Sequence, residues 1–504
     1  MAIIVPMARL LLGLDIGSSF VKAALVDADT GALVAQASAP DREMAIAAPR
    51  PGWAEQDPAE WWTQAVAATR AAIARSGLPG KAVAAVGISY QMHGLVVVDR
   101  AQRVLRPAII WCDGRAVAIG ERAFSEIGRL SCLARLLNSP GNFTASKLRW
   151  VKEHEPDLFA SIRTFMLPGD YIAMRLTGRA ATTASGLSEG ILWDYLDGRV
   201  SEDVLAVYDL SRSLIPEVVP TFGDQGAVTP QAAGELGIAP GVPVAYRAGD
   251  QPNNAFSLNV LEPGEVAATA GTSGVVYGVG DRAAWDNESR VNTFLHVNHA
   301  LGAPRLGVLL CVNGTGSLNR WLKNAMGDGL SYEEMNRLAL EAPIGSDGVV
   351  VLPYGNGAER TLSNRDPGAA VVGLSFNRHT RAHLLRAAQE GIVFALNYGM
   401  DIMRGMGVDV RAVRAGRANM FLSPLFARAF ADTSGAVVEL FETDGAQGAA
   451  RAAGVGAGIF PAPGDAFKGL RAVSRYEPDT ATSPQYRDAY QRWLEALRHA
   501  GAGQ

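Results

Sequence analysis

The run Asp15-Ile16-Gly17-Ser18-Ser19 sets a carboxylate two residues ahead of three small residues rich in donors. Gly17, Ser18 and Ser19 can bring backbone N–H and hydroxyl groups against phosphate oxygens without steric conflict. Asp15 could hold Mg²⁺, directly or through water, because that ion takes oxygen ligands and keeps waters beside phosphates. A second turn of the same design, Ala270-Gly271-Thr272-Ser273-Gly274, lies in the other half of the chain. Each turn alone is ordinary hairpin chemistry; one in each half fits a nucleotide clamped between two domains. A third element, Ala248-Gly249-Asp250-Gln251, follows the strand-like VPVAYR. Phosphoryl transfer from ATP is mostly positioning and charge neutralisation, so a carboxylate such as Asp250, aimed at an acceptor hydroxyl, would orient it and take its proton late. A Gly-Asp pair also suits a plain turn.

The fourth element is double: Gln91-Met92-His93-Gly94 after the strand-like VGIS, and Trp111-Cys112-Asp113-Gly114-Arg115 after PAII. Both fall where strands end, the edge at which α/β sheets bind ligands. Gln91, His93 and Asp113 suit sugar hydroxyls, which donate and accept together, and Trp111 suits the apolar side of a sugar. A His beside a Met is also a common core arrangement, and Arg115 could simply pair with a nearby carboxylate.

These residues need elements to hold them. Residues 9–38 read as a β-meander of short apolar runs separated by Gly-Ser and Asp-Ala-Asp-Thr-Gly turns. The first glycine leads into a strand, whereas a Walker or Rossmann loop would lead into a helix. A helix is predicted over 58–76, with Asp57 as N-cap, Pro58 at its first position, Glu60 completing a capping box, and Gly77 ending it. Trp62, Val66, Thr69 and Ile73 form its apolar face. Strands follow near 83–89, 94–98 and 107–111, and helices at 115–127, 145–154, 169–177 and 202–209, an α/β mixture. Residues 264–280 then repeat the strand–turn–strand design of the opening, which hints at duplicated halves. No linker rich in Pro, Ser or charge divides them, and the boundary is set near 257, giving domains 1–257 and 258–504.

With 504 residues the chain exceeds what one core usually serves. A net charge of −4 provides no basic field for nucleic acid or membrane surfaces, so an anionic ligand must be held by local donors or a metal. Cys112, Cys132 and Cys311 are odd in number and fit neither a disulfide framework nor a metal site, which points to a reducing cytoplasm. The apolar run 2–14 is broken by Pro6 and Arg9 and lacks the layout of a signal peptide. No uncharged apolar run reaches the roughly 18 residues of a membrane span. The expectation is a cytoplasmic protein, without nucleic-acid or membrane partners; a homodimer is left open.

The ordered segments GWAEQDPAEWW (52–62), QMHG (91–94), RPAIIWCDGR (106–115), GNFTASKLRWVKEHEP (141–156), LPGDYIAMRLTG (167–178), TAGTSG (269–274), LPYGNGAERTLSN (352–364) and GLSFNRHTRAHLLRAAQEG (373–391) span nearly the whole chain. With YEPD (476–479) and the final helix, they give a sequence that resembles the FGGY family of carbohydrate kinases, and within it the members acting on a pentulose. The resemblance implies two actin-like, ribonuclease-H-like ATPase domains with a central cleft. It implies Asp250 as catalytic base, Met92, His93 and Asp113 near the sugar, Asp15 at Mg²⁺, and the 17–19 and 271–273 turns at the phosphates. Gly316 and Arg320 of NGTGSLNRW, with Gly416, Arg417 and Asn419, fall where the family holds adenosine. ATP and Mg²⁺ are thus the expected cofactors, and D-xylulose, converted to its 5-phosphate, the expected substrate.

The chain departs from the family's pentulose-specific pattern in three places. Cys112 stands where Asn is common, Ala-Gly-Asp-Gln replaces a Gly-Gly-Asp-Asn type segment, and Arg414-Ala415 precedes a single Gly416. The first could remove a hydrogen bond to the substrate, since a thiol donates and accepts weakly. A kinase of the same family acting on another ketose, an aldonate or a polyol therefore stays in view, as does a non-catalytic sugar-binding relative. A nicotinamide oxidoreductase is disfavoured, because no G-x-G-x-x-G opens a helix.

Overall fold

The opening apolar runs pair as expected. β1 (Leu10–Ile16) and β2 (Val21–Asp27) form an antiparallel hairpin across the Gly17–Ser19 turn, and β3 (Leu33–Ala39) adds to β2. β4 (Val83–Tyr90) then pairs with β1 in parallel, and β5 (Val244–Gly249) with β4 in parallel, giving the order β5-β4-β1-β2-β3. The computed structural model describes residues 9–363 and 365–501. Most of the apolar run 2–14, and Asn364 at the end of the 352–364 motif, lie outside the described residues.

The described chain divides into two units. The first comprises residues up to 261 together with 294–305 and 443–470, and the second comprises 262–293, 306–442 and 471 onward. In the second, β6 (Glu265–Ala270) and β7 (Gly274–Gly280) form an antiparallel hairpin over the Gly271–Ser273 turn. β8 (Leu306–Val312) pairs antiparallel with β7. β9 (Ala412–Gly416) is parallel to β6, β10 (Val437–Phe441) is parallel to β9, and β11 (Ala472–Tyr476) closes that edge. The order β10-β9-β6-β7-β8 therefore repeats β5-β4-β1-β2-β3, strand for strand and direction for direction. The two units are built on one topology: the likeness of 9–38 to 264–280 anticipated the duplication, and the family resemblance implied its ribonuclease-H-like design.

One face of the first sheet is covered by the helix Pro58–Ser76, whose buried stripe is Trp61, Ala65, Ala68 and Ala72 with Trp62 and Thr69. This corrects the expected face: Val66 and Ile73 lie at its margin. The helix starts as predicted, with Asp57 accepting from the Ala59 amide at 2.9 Å, but Glu60 makes no capping box. Its carboxylate instead accepts from Gln64 one turn on, at 2.5 Å. The other face carries the helix Gly445–Gly456, almost wholly of small residues, against Leu11, Val26 and Ala85. A Cβ at Gly13 or Gly87 would strike the carbonyl of Ala446 or Ala449, so helix and sheet approach at backbone distance. Each fully buried large aliphatic side chain contributes about 1.5–3 kcal/mol, and Leu10, Leu12, Leu14, Ile16, Val86 and Ile88 supply most of this along β1 and β4. Among the described residues no helix is long and apolar enough to cross a membrane.

Candidate active site

Parallel pairing fixes which residues meet. β1, β4 and β5 end at the same edge of the first sheet, with Asp15 opposite Ser89 and Gly249 opposite Tyr90. That edge therefore gathers Asp15, the Gln91–His93 loop and Asp250, three elements far apart in sequence. Ser89 donates its hydroxyl to Asp15 Oδ1 at 2.8 Å. The other oxygen, Oδ2, faces the start of the helix Gly445–Gly456, where a Cβ on Gly445 would meet it at 2.7 Å. Burial raises the pKa of Asp15 above the usual carboxylate value; Lys22 and the Ser89 hydroxyl pull it down, and Asp444 adds to the rise. Helix N-termini favour anionic groups, and the small residues of this helix are what let it come so close.

Asp250 opens the helix Asp250–Ser257 directly after β5, a strand-to-helix junction and not a turn. Burial, reinforced by the negative charge of Asp15, pushes its carboxyl up to about 7, while hydrogen bonds from Gln251 oppose the shift. Behind it lies Glu189, which is 2% exposed. Burial first, then the charges of Asp250 and Asp170, raise the Glu189 carboxyl well above its usual value. A Cβ on Gly249 would collide with Glu189 Oε2 and with the Met92 side chain, so this glycine lets both pack against the end of β5.

Of the residues expected near the sugar, Gln91 and Met92 are buried, and Gln91 bonds through its side chain to Gln56 at 3.3 Å. His93 takes a left-handed backbone conformation, φ 61°, its Nδ1 lying 2.9 Å from the Glu189 carbonyl and its ring edge-on to Phe143. Trp111 is 47% exposed, and its indole N–H points to Ser18 Oγ at 3.4 Å. Asp113 differs from its neighbours: it has no exposed surface, and both its oxygens are taken by the Ala54 amide and by Arg115. It anchors the 111–115 loop, and the pairing foreseen for Arg115 is with this carboxylate. In the 17–19 turn the Gly17 amide closes on the Phe20 carbonyl at 3.0 Å, which leaves Ser18 and Ser19 as the donors it could lend to a phosphate.

In the second unit, the Gly316 amide donates to the Gly271 carbonyl at 2.8 Å and the Ser317 amide to the Thr272 carbonyl at 3.1 Å. A Cβ on Gly316 would collide with the Gly271 carbonyl, and one on Gly271 would lie 3.5 Å from the Asn419 amide nitrogen. The structure thus brings Gly271, Thr272, Gly316 and Asn419 together, beside the helix Gly316–Met326. Gly416 ends β9 in the same sheet, and Asn419, at φ 53°, starts the single turn Asn419–Leu422. Ser273 completes the hairpin turn. Arg320 is exposed one turn into the helix, and Arg417 pairs with Glu442 at 3.2 Å.

Sequence reasoning missed five residues. Ser89, Glu189, Asn254 and Asp444 surround Asp15 and Asp250. Lys147 lies fully buried and donates to the carbonyls of His93 and Ile110 at 2.8 and 2.9 Å. Burial pushes its ammonium down to about 7 against the attraction of Asp113. Asp444-Gly445 carried a legible signal, an N-cap before a run of small residues, and Asp444 does accept from the Gln447 amide at 3.0 Å. Glu189 carried none.

Comparison with known proteins bears on the family and the fold. Residues 10–257 match the N-terminal domain, and residues 266–457 the C-terminal domain, of the FGGY family of carbohydrate kinases. The chain is 33% identical to a xylulose kinase of Escherichia coli (strain K12), over 88% of its length and 90% of that protein's. It is 31% identical to an L-xylulose/3-keto-L-gulonate kinase of the same organism, over 97% of both. Its structure superposes with a TM-score of 0.87 on the crystal structure of xylulose kinase from Rhodospirillum rubrum, at 29% identity and covering 98% of this chain and 99% of that one. With both domains matched in order and the two-unit fold shared, the chain belongs to the FGGY family of carbohydrate kinases and is an ATP-dependent sugar kinase.

Proposed function

We propose that the enzyme phosphorylates D-xylulose at its terminal hydroxyl, giving the 5-phosphate, with Asp250 as the general base. The observation that carries the catalytic part is the Asp250 carboxyl, pushed up to about 7 where β5 meets its helix. A base is most effective when its pKa lies near the working pH. The two xylulose-directed relatives support the choice of substrate.

In this reading Asp250 accepts the hydroxyl proton, while Met92, His93, Gln91 and the exposed face of Trp111 line the sugar side. Asp113 holds the 111–115 loop in place from beneath. Ser18 and Ser19 lend donors to the phosphates, as do Thr272 and Ser273. Gly316, Arg320, Gly416, Arg417 and Asn419 form the adenosine side.

The residues fit Mg²⁺. Asp15 is an oxygen donor whose pKa burial and Asp444 raise, so a cation there would relieve an unfavourable negative charge. Among the described residues no group of three or more ligating side chains could enclose a metal by itself. A Mg²⁺ there would be held by one carboxylate, waters and the nucleotide's phosphates. When bound, the ion neutralises charge on the transferring group.

The experiment is ADP release over a sugar panel: D-xylulose, L-xylulose, 3-keto-L-gulonate, gluconate and glycerol. D-Xylulose turning over no faster than the others would reject the substrate assignment. A second reading, a related ketose or keto acid, is favoured by the 31% identity to the L-xylulose/3-keto-L-gulonate kinase and by the Ala-Gly-Asp-Gln segment.

A further inference from the structure

The segment Asn142–Lys147 hydrogen-bonds four main-chain carbonyls of the two loops that the reading above assigns to the sugar. Lys147 Nζ donates to the carbonyls of His93 at 2.8 Å and Ile110 at 2.9 Å. Thr144 Oγ1 donates to the Gly94 carbonyl at 3.2 Å, and Asn142 Nδ2 to the Asp113 carbonyl. Phe143, between them, packs edge-on to the His93 ring with centroids 4.6 Å apart. Three side chains within six residues, at the start of the helix Thr144–His154, thus reach both the 91–94 loop and the 110–113 loop.

Lys147 is the residue that joins them, since it alone bonds to both. A lysine with no exposed surface is costly to bury, because its charge leaves water. Structural bonding to one carbonyl needs no such group; a threonine does it at Gly94. An ammonium differs in carrying three donors on a long, flexible stem, so a single atom can serve two carbonyls from different loops.

We propose that Lys147 is a positioning residue for the acceptor sugar, its ammonium fixing the separation of the His93 loop and the Trp111 loop by bridging their carbonyls. It touches neither the sugar nor the nucleotide. Its effect reaches the sugar through the placement of His93 on one side and Trp111 and Cys112 on the other. The proposal rests on these loops meeting the sugar. It does not depend on which sugar is bound.

The test uses the full-length enzyme with the sugar that wild type turns over fastest, so an error in substrate identity is seen in the wild-type panel and not in the variants. Lys147→Met keeps the stem and removes the donors. The expected result is a sugar KM raised at least tenfold, with the KM for ATP within twofold of wild type. Asn142→Ala and Thr144→Val each remove one neighbouring bond and leave Lys147 in place; each is expected to raise the sugar KM two- to fivefold, again without moving that for ATP. A folded Lys147→Met enzyme with unchanged sugar KM would overturn the proposal, as would parallel rises in both KM values. Should Lys147→Met not fold, the two milder variants decide: an unchanged sugar KM in both rejects the proposal.

Discussion

Asp15 and Asp250 are electrostatic neighbours: the negative charge of Asp15, at the end of β1, adds to burial in holding a proton on Asp250 up to about pH 7. The two lie 235 positions apart in the chain and are united because β1 and β5 flank β4 in one parallel array. Parallel pairing thus brings the two carboxylates to one edge of the first sheet.

The first prediction concerns Asp250 itself. Replacing it with Asn should lower turnover by about 10²–10⁴-fold, the usual contribution of a general base, while nucleotide binding persists. In the wild type, kcat/KM should fall as pH drops below about 7, because the protonated carboxyl cannot accept the hydroxyl proton. Stability should move the other way. The folded pKa lies above the ordinary value of 3.8, so the folded state holds the proton more tightly across that window. The contribution is fully present below about pH 4 and is lost as pH rises through about 7. Asp250→Asn, neutral throughout, should therefore melt higher than wild type at pH 8, by a margin that shrinks toward pH 5. Equal margins at both pH values would contradict the shift.

Gly249→Ala tests how tightly the proposed base is seated. The new methyl would collide with Glu189 Oε2 and Met92, both buried. Overpacking of this kind costs about 1–3 kcal/mol. Denaturant unfolding should register that loss, and turnover should fall with it because Asp250 is the next residue.

Gly316→Ala is the counterpart in the second unit. A Cβ there would collide with the Gly271 carbonyl and push the hairpin turn from the helix Gly316–Met326. The KM for ATP should rise several-fold while that for the sugar stays near wild type. The reverse pattern would remove this turn from the nucleotide side.

Asp170→Ala addresses stability beneath the site. Arg247 Nε lies 3.0 Å from Asp170 Oδ1, and each side chain is only 1% exposed. Arg247 belongs to β5, three residues before Asp250, so the pair underlies the strand that leads into Asp250. Removing the carboxylate leaves a buried guanidinium uncompensated, a change that costs about 3–5 kcal/mol. Equilibrium unfolding is the measurement. A loss below 1 kcal/mol would mean that water reaches Arg247 in the variant.

The strand–turn–strand segments at 9–38 and 264–280, the helix at 58–76 with its Asp57 cap, and the turns that carry Asp15 and Gly271 were all legible in the sequence. Their signals are local: apolar runs bounded by glycine and serine, and a cap ahead of a proline. The helix face was misjudged because Trp61 and the three alanines below it form the contact, and small residues are weak markers of a buried stripe. Ser89 and Lys147 passed unnoticed because nothing around them in sequence announces the partner, which is supplied by pairing with β1 in one case and by loops some 37 and 54 residues away in the other.

By itself the sequence determined the elements and the two similar halves, and it singled out Asp15 and Asp250 as candidate carboxylates, since these depend on residue type and short-range spacing. Only the tertiary structure decided which carboxylates stand together. Parallel strand order brings Asp15, Asp250 and the His93 loop to one edge, and a helix of small residues near the C-terminus returns to the first sheet to meet Asp15. The tertiary structure also separated Asp113, sealed by Arg115, from the exposed Trp111 two residues earlier. Burial and the proximity of like charge are properties of three-dimensional packing, and these raise the pKa of Asp250 toward neutrality.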